Sequence, residues 1–241
     1  MALDVYGMAF SPYSEKARWA LDHHKVDYAW HEHAPMIGER ALRKRAGRAK
    51  ASVPMALDGD TVLHDSLAIA RHAEKVGKGS RLFANEAAVR TWVARSDDSL
   101  GAARALLFER LLSDRAALRE SLPPWVPGPL RGLATPLAAR GTRFLSRKYG
   151  AQGVAADEAT KKLREGLASM QRVLASRDTI LDGFSFADIA MAVVVQMIAP
   201  VADEYVVLGP ERRRAWSEPA LAKEFADVVE WRDALYAKRR H

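Results

Sequence analysis

The sequence predicts an α/β unit followed by an all-helical unit. Three observations support this. A strand, a helix and a second strand follow one another at the N-terminus, an Asp-Gly pair joins two short apolar runs, and apolar residues recur every three or four positions from residue 86 onward. The α/β unit has the predicted order β-α-β-α-β-β-α. The predicted domains are residues 1–77 and 86–241, joined by a linker at 78–85.

The first strand and helix occupy residues 5–18, Val-Tyr-Gly-Met-Ala-Phe-Ser-Pro-Tyr-Ser-Glu-Lys-Ala-Arg. Ser11 has the position of a helix N-cap, and Pro12 follows at the first helical position, where its missing N–H costs nothing. Helical spacing predicts a buried stripe of Ala17, Ala20, Leu21 and His24. It predicts a solvent-facing set of Glu15, Lys16, Asp22 and Lys25.

The second strand is predicted over residues 26–33, where apolar side chains alternate. A strand, a helix and a strand in succession predict a parallel pair with a right-handed crossover. His31 and His33 share a strand face, but the sequence supplies no third ligand in a recognisable metal motif. We therefore expect no metal.

A short basic helix at residues 37–46 is followed by two apolar runs joined by Asp58-Gly59, which predicts a hairpin with a type I′ turn. Pro54 cannot donate to a strand ladder, so its place indicates an edge position or a special turn, of which a cis peptide is one form. Asp65-Ser66 then opens a helix that is predicted to end at Val76.

The second unit is predicted to begin with a long helix over residues 86–112. Four prolines within residues 123–129 exclude regular helix there, and this segment belongs to an insertion at 113–150 that includes a helix at 137–149. Further helices are predicted at 157–176, up to Pro200, and from Pro219 onward. Ser185 and Asp188 predict a capping box at the central buried helix.

The composition limits the chemistry of this chain. There is no cysteine, so disulfides and thiolate metal sites are excluded, and thiol chemistry requires a sulfur that arrives with the ligand. The net charge of +7 is spread over both units, apart from a cluster at residues 40–50 and the tail Lys238-Arg239-Arg240. Because aromatic residues are not interleaved with these cations, we predict solvated faces and no nucleic-acid partner. A basic leader and an apolar span are both absent from the sequence, which predicts a cytoplasmic protein without a membrane partner.

Several of these motifs carry a resemblance to a known family. Ser11-Pro12-Tyr13-Ser14 resembles the Cys-Pro-Tyr-Cys of glutaredoxins with oxygen in place of sulfur, and the longer segment resembles the active-site segment of serine-type glutathione S-transferases. The lead-in at residues 6–10 is similar to that of omega-like members. The order of elements is similar to a thioredoxin-like domain, and Val53-Pro54 and Asp65-Ser66 are similar to the family's Val-Pro and acidic-Ser pairs.

The resemblance implies a glutathione site. Ser11 would stabilise the glutathione thiolate, the backbone of Val53 would bind the cysteinyl unit while Pro54 holds the turn, and Asp65 and Ser66 would bind the γ-glutamyl end. Asp65 and Ser66 could alternatively be only a helix cap and its first residue. The family often has a Lys where this chain has Ser52, so the cation for the glycyl carboxylate is left to three candidates: Arg40, Arg48 and Lys50.

The family also implies an activity and partners. Glutathione would be the co-substrate, without a metal, and the second substrate an electrophilic, mostly apolar small molecule. The residues predicted to shape its pocket are Phe10, Trp125, Phe144 and Tyr149, and Tyr6 and Ser14 are alternative catalytic candidates. A homodimer with a role in detoxification is expected. Two alternatives remain: a non-catalytic binding protein, and a glutathione-dependent reductase or peroxidase, which we rank lower because serine cannot form a mixed disulfide.

Overall fold

The structure is a computed structural model that describes residues 2–123 and 126–240. A four-stranded mixed sheet of order β2-β1-β3-β4 occupies its N-terminal part. The strands are β1 Leu3–Gly7, β2 Tyr28–Glu32, β3 Met55–Asp58 and β4 Thr61–Leu63. β1 runs parallel to β2, with Val5 opposite Trp30, and antiparallel to β3, with Val5 opposite Ala56. The predicted hairpin joins β3 to β4, and Gly59 in its turn has a φ of 55°, which glycine adopts without steric cost.

Three helices flank the sheet and eight more follow them in the described chain. The first three are α1 Pro12–His23, α2 Glu39–Ala46 and α3 Ser66–Val76. The others are α4 Glu86–Ser113, α5 Arg115–Glu120, α6 Arg131–Lys148, α7 Ala156–Leu174, α8 Phe186–Val195, α9 Pro210–Trp216, α10 Pro219–Glu224 and α11 Ala226–Arg239. This arrangement confirms the predicted fold class, a thioredoxin-like α/β unit followed by helices.

Both faces of the sheet are covered by helices. Leu3 and Val5 of β1 pack on α1 and α3, together with Leu21 and Ile69. On the other face Met55 packs against Leu42 of α2. The two-residue alternation along β1 therefore sends successive side chains into two different cores.

Helix α8 lies at the centre of the helical part, and all ten of its residues are buried. Its N-terminus has the predicted capping box. The Asp188 carboxylate accepts hydrogen bonds from the backbone amides of Ser185 (2.8 Å) and Ile180 (2.7 Å). Burial raises the pKa of the Asp188 carboxyl. The helix ends at Val195, five residues before the predicted stop at Pro200.

The prediction that Glu15 and Lys16 face solvent is wrong, because both are fully buried. Helix α1 packs on the sheet side against α3 and on its other side against α8, so more than one stripe of it is covered. The Lys16 ammonium pairs with Asp97 of α4 (2.7 Å), and Glu15 pairs with Arg240 (2.8 Å) and Arg18 (2.5 Å).

The C-terminal tail also differs from the prediction of a solvated basic face. The Arg240 guanidinium is largely buried and pairs with Glu15 and Asp22 of α1. The Arg239 carbonyl accepts a hydrogen bond from the Trp19 indole (3.2 Å). The tail therefore ties the end of the chain to the first helix.

Two helix predictions in the C-terminal part need correction. Helix α6 begins at Arg131, six residues earlier than predicted, and it continues through Pro136, which lies on its exposed side. The single helix predicted after Pro219 is two helices, which meet at Phe225. No helix within the described parts of the chain has both the length and the apolar character that crossing a bilayer requires.

Candidate functional site

Ser11 lies directly before α1, where the chain turns from the end of β1 into the helix. Its backbone is extended (φ −76°, ψ 129°), and its amide donates a hydrogen bond to the Met8 carbonyl (2.9 Å). Its side chain makes no hydrogen bond to the helix that it precedes, and the residue is 7% exposed. The Ser11 hydroxyl therefore does not cap α1, and little of the residue is exposed to solvent.

The two alternative catalytic residues have other partners. Ser14 is fully buried, and its hydroxyl oxygen accepts a hydrogen bond from the Met8 amide (3.2 Å), which fixes the turn before Ser11. The Tyr6 ring stacks on His31 (4.7 Å between ring centroids), and the Arg45 guanidinium lies 5.1 Å from the Tyr6 ring centroid. The Ser14 hydroxyl is thus engaged within the turn, and the Tyr6 ring is held on β1, outside the helix.

The Val53–Pro54 peptide is cis and leads directly into β3. Tyr6 on β1 pairs with Met55 on β3, so the end of the strand that leads to Ser11 lies beside the start of the strand that follows Pro54. Val53 packs in one cluster with Met8 and Met55. The sheet register thus places the cis peptide next to the turn that contains Ser11.

Asp65 is the N-cap of α3, and its carboxylate accepts a hydrogen bond from the Ala68 amide (2.7 Å). Asp65 therefore caps α3, which the sequence analysis gave as the alternative to a role in ligand binding. Its carboxylate remains exposed. Ser66 follows as the first residue of α3 and is buried. Because β4 follows β3 directly in the sheet, this helix start belongs to the same end of the fold as the cis peptide.

The three candidate cations are all exposed. Arg40 is on α2, and Arg48 and Lys50 lie in the segment after it. Burial and the positive charge of Arg48 lower the pKa of His64, the residue immediately before Asp65. Among the three, the positive charge of Arg48 thus acts on the start of α3.

Comparison with protein-family models matches residues 5–80 to the glutathione S-transferase N-terminal domain. The match spans the strands β1 to β4 and the helices α1 to α3, and it does not extend into α4 to α11.

Solved structures of glutathione S-transferases share the fold along the whole chain. One from Ceriporiopsis subvermispora in complex with glutathione has a TM-score of 0.65 at 18% identity, over 100% of this chain and 98% of its own. One from Methylobacillus flagellatus KT with glutathione bound has a TM-score of 0.61 at 16% identity, over 99% and 96%. A glutathione S-transferase-I bound with lactoylglutathione has a TM-score of 0.64 at 19% identity, over 98% and 94%. No curated protein sequence matches the chain.

In this glutathione S-transferase fold, the residues predicted for a second-substrate pocket are not gathered in one place. The Phe10 ring lies edge-on to Trp216 of α9 (6.2 Å between centroids), with the Arg212 guanidinium 5.0 Å from its centroid. Tyr149, directly after α6, faces α4 instead. Phe144 is half-buried on α6, and Trp125 lies outside the described residues.

Tyr149 borders a cavity of about 640 Å³ between α4 and α7. Five of its thirteen lining residues are charged, among them Asp98, Lys162 and Glu165. This cavity therefore does not match the mostly apolar pocket that the sequence predicted.

Arg104 of α4 is a neighbour of the site that the sequence analysis missed. Its guanidinium lies 5.5 Å from the ring centroid of Tyr13 and 4.4 Å from that of Tyr149. Its Nε is buried without a hydrogen-bond partner, and within the described part of the chain no carboxylate pairs with it. Burial raises the pKa of Tyr13 to about 12, against the lowering effect of the Arg104 charge.

The only sequence signal for this cluster was Tyr13, which belongs to the Ser-Pro-Tyr-Ser motif. Arg104 is one of many arginines in a helical pattern, and Tyr149 is 45 positions away from it in the chain. The contact among the three residues depends on the packing of α4 against α1 and the end of α6.

The two histidines considered for metal binding have separate partners. His31 contacts Asp4 (2.7 Å), whereas buried His33 contacts Glu39 (3.3 Å), which in turn pairs with Lys148 (2.8 Å). Burial lowers the pKa of His33. In residues 2–123 and 126–240 no group of three or more metal-ligating side chains is assembled.

Proposed function

We propose that this chain is a serine-type glutathione transferase, in which Ser11 stabilises the thiolate of bound glutathione for attack on an electrophilic carbon. The observation that carries the proposal is the uncommitted Ser11 hydroxyl at the start of α1, beside the cis Val53–Pro54 peptide. A serine that served only as a helix cap would bond to its own helix. This one does not, so its hydroxyl has no competing partner on α1, and the residue is 7% exposed.

The energies of this mechanism are sufficient without a general base. A free thiol has a pKa of about 8.5, and lowering the pKa by about two units requires roughly 2.7 kcal/mol. A hydrogen bond from a hydroxyl to a charged sulfur supplies about 1.5–3 kcal/mol, and the start of a helix about 0.3–1 kcal/mol. Ser11 therefore acts as a hydrogen-bond donor and not as a nucleophile.

The remaining contacts would hold the ends of glutathione. The Val53 backbone next to the cis proline would pair with the cysteinyl unit, and Ser66 with the start of α3 would receive the γ-glutamyl carboxylate. Asp65 would face the γ-glutamyl ammonium with the oxygen that does not cap α3. The cation for the glycyl carboxylate would be one of Arg40, Arg48 and Lys50, all of which are exposed.

The second substrate would be an electrophile that is mostly apolar and carries an acidic group. Tyr13 and Tyr149 offer aromatic faces, and Arg104 between them is a cation whose buried Nε has no partner. A buried donor without a partner is costly, and a carboxylate on the substrate would satisfy it. The family also supports a homodimer, a cytoplasmic location and a role in detoxification.

Glutathione binding is tested by retention on glutathione resin and by thermal unfolding with and without glutathione. A ligand at 100 times its dissociation constant adds about 2.7 kcal/mol to the free energy of unfolding, so the melting temperature should rise by several degrees. Absence of both retention and the rise would favour the alternative, a non-catalytic binding protein with this fold. Reduction of disulfides without conjugation would favour the reductase alternative.

A further inference from the structure

Two segments of this chain contain many cations and no acidic residue. Residues 40–57 contain six Lys and Arg, and residues 121–156 contain five. The chain as a whole has 37 Lys and Arg against 30 Asp and Glu, so the remainder has 26 against 30 and a net charge of −4. The positive charge is therefore concentrated in two segments. This corrects the sequence-based expectation that most of it is spread over both units.

The structure brings these two segments together. The Lys148 ammonium at the end of α6 pairs with Glu39 at the start of α2 (2.8 Å). Two helical turns before Lys148, Gly141 of α6 lies close to Met36. The Met36 sulfur is 3.7 Å from the position that a Cβ atom on residue 141 would occupy. Helix α6 therefore lies alongside the start of α2, and the two acid-free segments are neighbours on the side of the molecule where this contact lies.

Most of these cations have no acidic partner. Nine of the eleven are exposed and form no ion pair with any described residue: Arg40, Arg43, Lys44, Arg45, Arg48, Lys50, Arg140, Arg143 and Arg147. Exposed cations elsewhere are of both kinds: Arg90 pairs with Glu86 and Arg177 with Asp182, whereas Arg115 and Lys223 form no ion pair with a described residue. The electrostatic potential of this side is therefore not neutralised within the chain.

Large apolar side chains are exposed among these cations. Leu133 is 82% exposed and Leu137 is 49% exposed, and both share one face of α6 with Arg140. Ile37, which directly follows Met36, is 71% exposed, and Leu130 just before α6 is 52% exposed. Four of the six large apolar side chains that are exposed in the described chain thus belong to this side. We call this surface, formed by Ile37, the cations of residues 40–50 and the exposed face of α6, the α2–α6 face.

We propose that the α2–α6 face binds the surface of an anionic phospholipid bilayer. Unpaired cations can contact the lipid phosphates, and exposed leucine and isoleucine side chains beside them can enter the boundary with the acyl chains, which are the two contacts by which a protein surface binds an anionic bilayer. A nucleic-acid surface would use the cations but has no place for the leucines, and it favours interleaved aromatic residues. This proposal replaces the sequence-based expectation of no membrane partner.

Co-sedimentation of the full chain with vesicles tests the proposal. We expect binding to vesicles of 70% phosphatidylcholine and 30% phosphatidylglycerol, weak binding to pure phosphatidylcholine, and a steep loss between 50 and 300 mM salt. Each cation near such a surface contributes about five-fold to the affinity, so the triple variant R140S/R143S/R147S should bind roughly 100-fold more weakly. The variant L133S/L137S should bind several-fold more weakly.

Matched variants separate the surface from general charge and hydrophobicity. R90S/R172S/R177S removes three exposed cations from other parts of the chain, and V76S/V207S removes two exposed apolar side chains elsewhere. Both should bind anionic vesicles as the parent does. Circular dichroism melting confirms that each variant is folded.

Equal binding to neutral and anionic vesicles, or no binding to either, would overturn the proposal. So would an equal loss of binding in the matched charge control. Binding to duplex DNA or RNA with the same dependence on Arg140, Arg143 and Arg147 would assign these cations to a nucleic acid instead. A dimer that dissociates in L133S/L137S while vesicle binding persists would assign the leucines to self-association and also contradict the proposal.

Discussion

Replacing Ser11 with alanine should raise the pKa of bound glutathione and leave the fold intact. The Ser11 hydroxyl makes no hydrogen bond to α1, so its removal leaves no buried backbone group without a partner. Loss of a hydrogen bond to a charged sulfur, at about 1.5–3 kcal/mol, corresponds to a rise of roughly one to two pKa units. At pH 5.5, below the thiol pKa of both proteins, kcat/KM should therefore fall about 10- to 100-fold.

The pH dependence makes this prediction specific. Above the higher thiol pKa both proteins hold glutathione as the thiolate, so the difference in kcat/KM should shrink to a few-fold near pH 9.5. The assay is conjugation of glutathione to an aryl halide between pH 5.5 and 9.5, together with ultraviolet absorbance of the bound thiolate. The melting temperature of S11A should equal that of the parent.

Ser14→Ala is the matched control for S11A. The Ser14 hydroxyl accepts the Met8 amide in a buried turn, so S14A should lower the melting temperature by several degrees. Its pH profile, measured below the melting transition, should keep the parental midpoint. The mechanism is refuted if S11A keeps the parental pH midpoint, or if S14A shifts the midpoint as much as S11A does.

Three further predictions concern buried charges. Arg104→Met should raise the KM for an aryl halide that carries a ring carboxylate about 10-fold and leave the KM for its uncharged analogue unchanged, because the substrate carboxylate would lose the cation that binds it between Tyr13 and Tyr149; equal changes in both KM values would contradict this. Asp97→Asn should lower the free energy of unfolding, measured in urea, by about 3 kcal/mol, since it leaves the fully buried Lys16 ammonium unpaired. Lys16→Met should lower the free energy of unfolding much less, because the Asp97 carboxylate can reach water. The opposite order would contradict the reasoning. Arg240→Ala should lower the melting temperature by several degrees because buried Glu15 would keep only Arg18, and Lys238→Ala, an exposed neighbour, should leave it unchanged.

Local signals in the sequence were sufficient for the order of the elements in the α/β unit, whereas α5 and α9 of the helical part were not predicted. Asp58-Gly59 predicted the hairpin, Ser11-Pro12 predicted the start of α1, and Ser185 with Asp188 predicted the capping box, each confirmed by the structure. Such signals depend on turn chemistry and on hydrogen bonds between residues a few positions apart, which is why the sequence reveals them. Helix ends were less certain: α6 begins six residues before its predicted start.

The candidate site was only partly readable from the sequence. The cis peptide at Pro54 was one of the forms foreseen, and Asp65-Ser66 begins α3 as predicted. The second-substrate residues Phe10 and Tyr149 were proposed from resemblance, and the structure places them against different helices. Arg104 gave no signal, because its neighbours come from α1 and the end of α6.

The sequence by itself determined the order of elements in the α/β unit, the helical character of the rest and the absence of any protein thiol, since each of these depends on residue identity or on near neighbours in the chain. Only the tertiary structure decided which charges are buried. Lys16 faces Asp97, Arg240 closes on Glu15, and the two acid-free segments lie side by side across a contact between α2 and α6. The environment of a side chain is set by whatever segment packs against it, however distant in sequence, and periodicity along one helix carries no information about that partner.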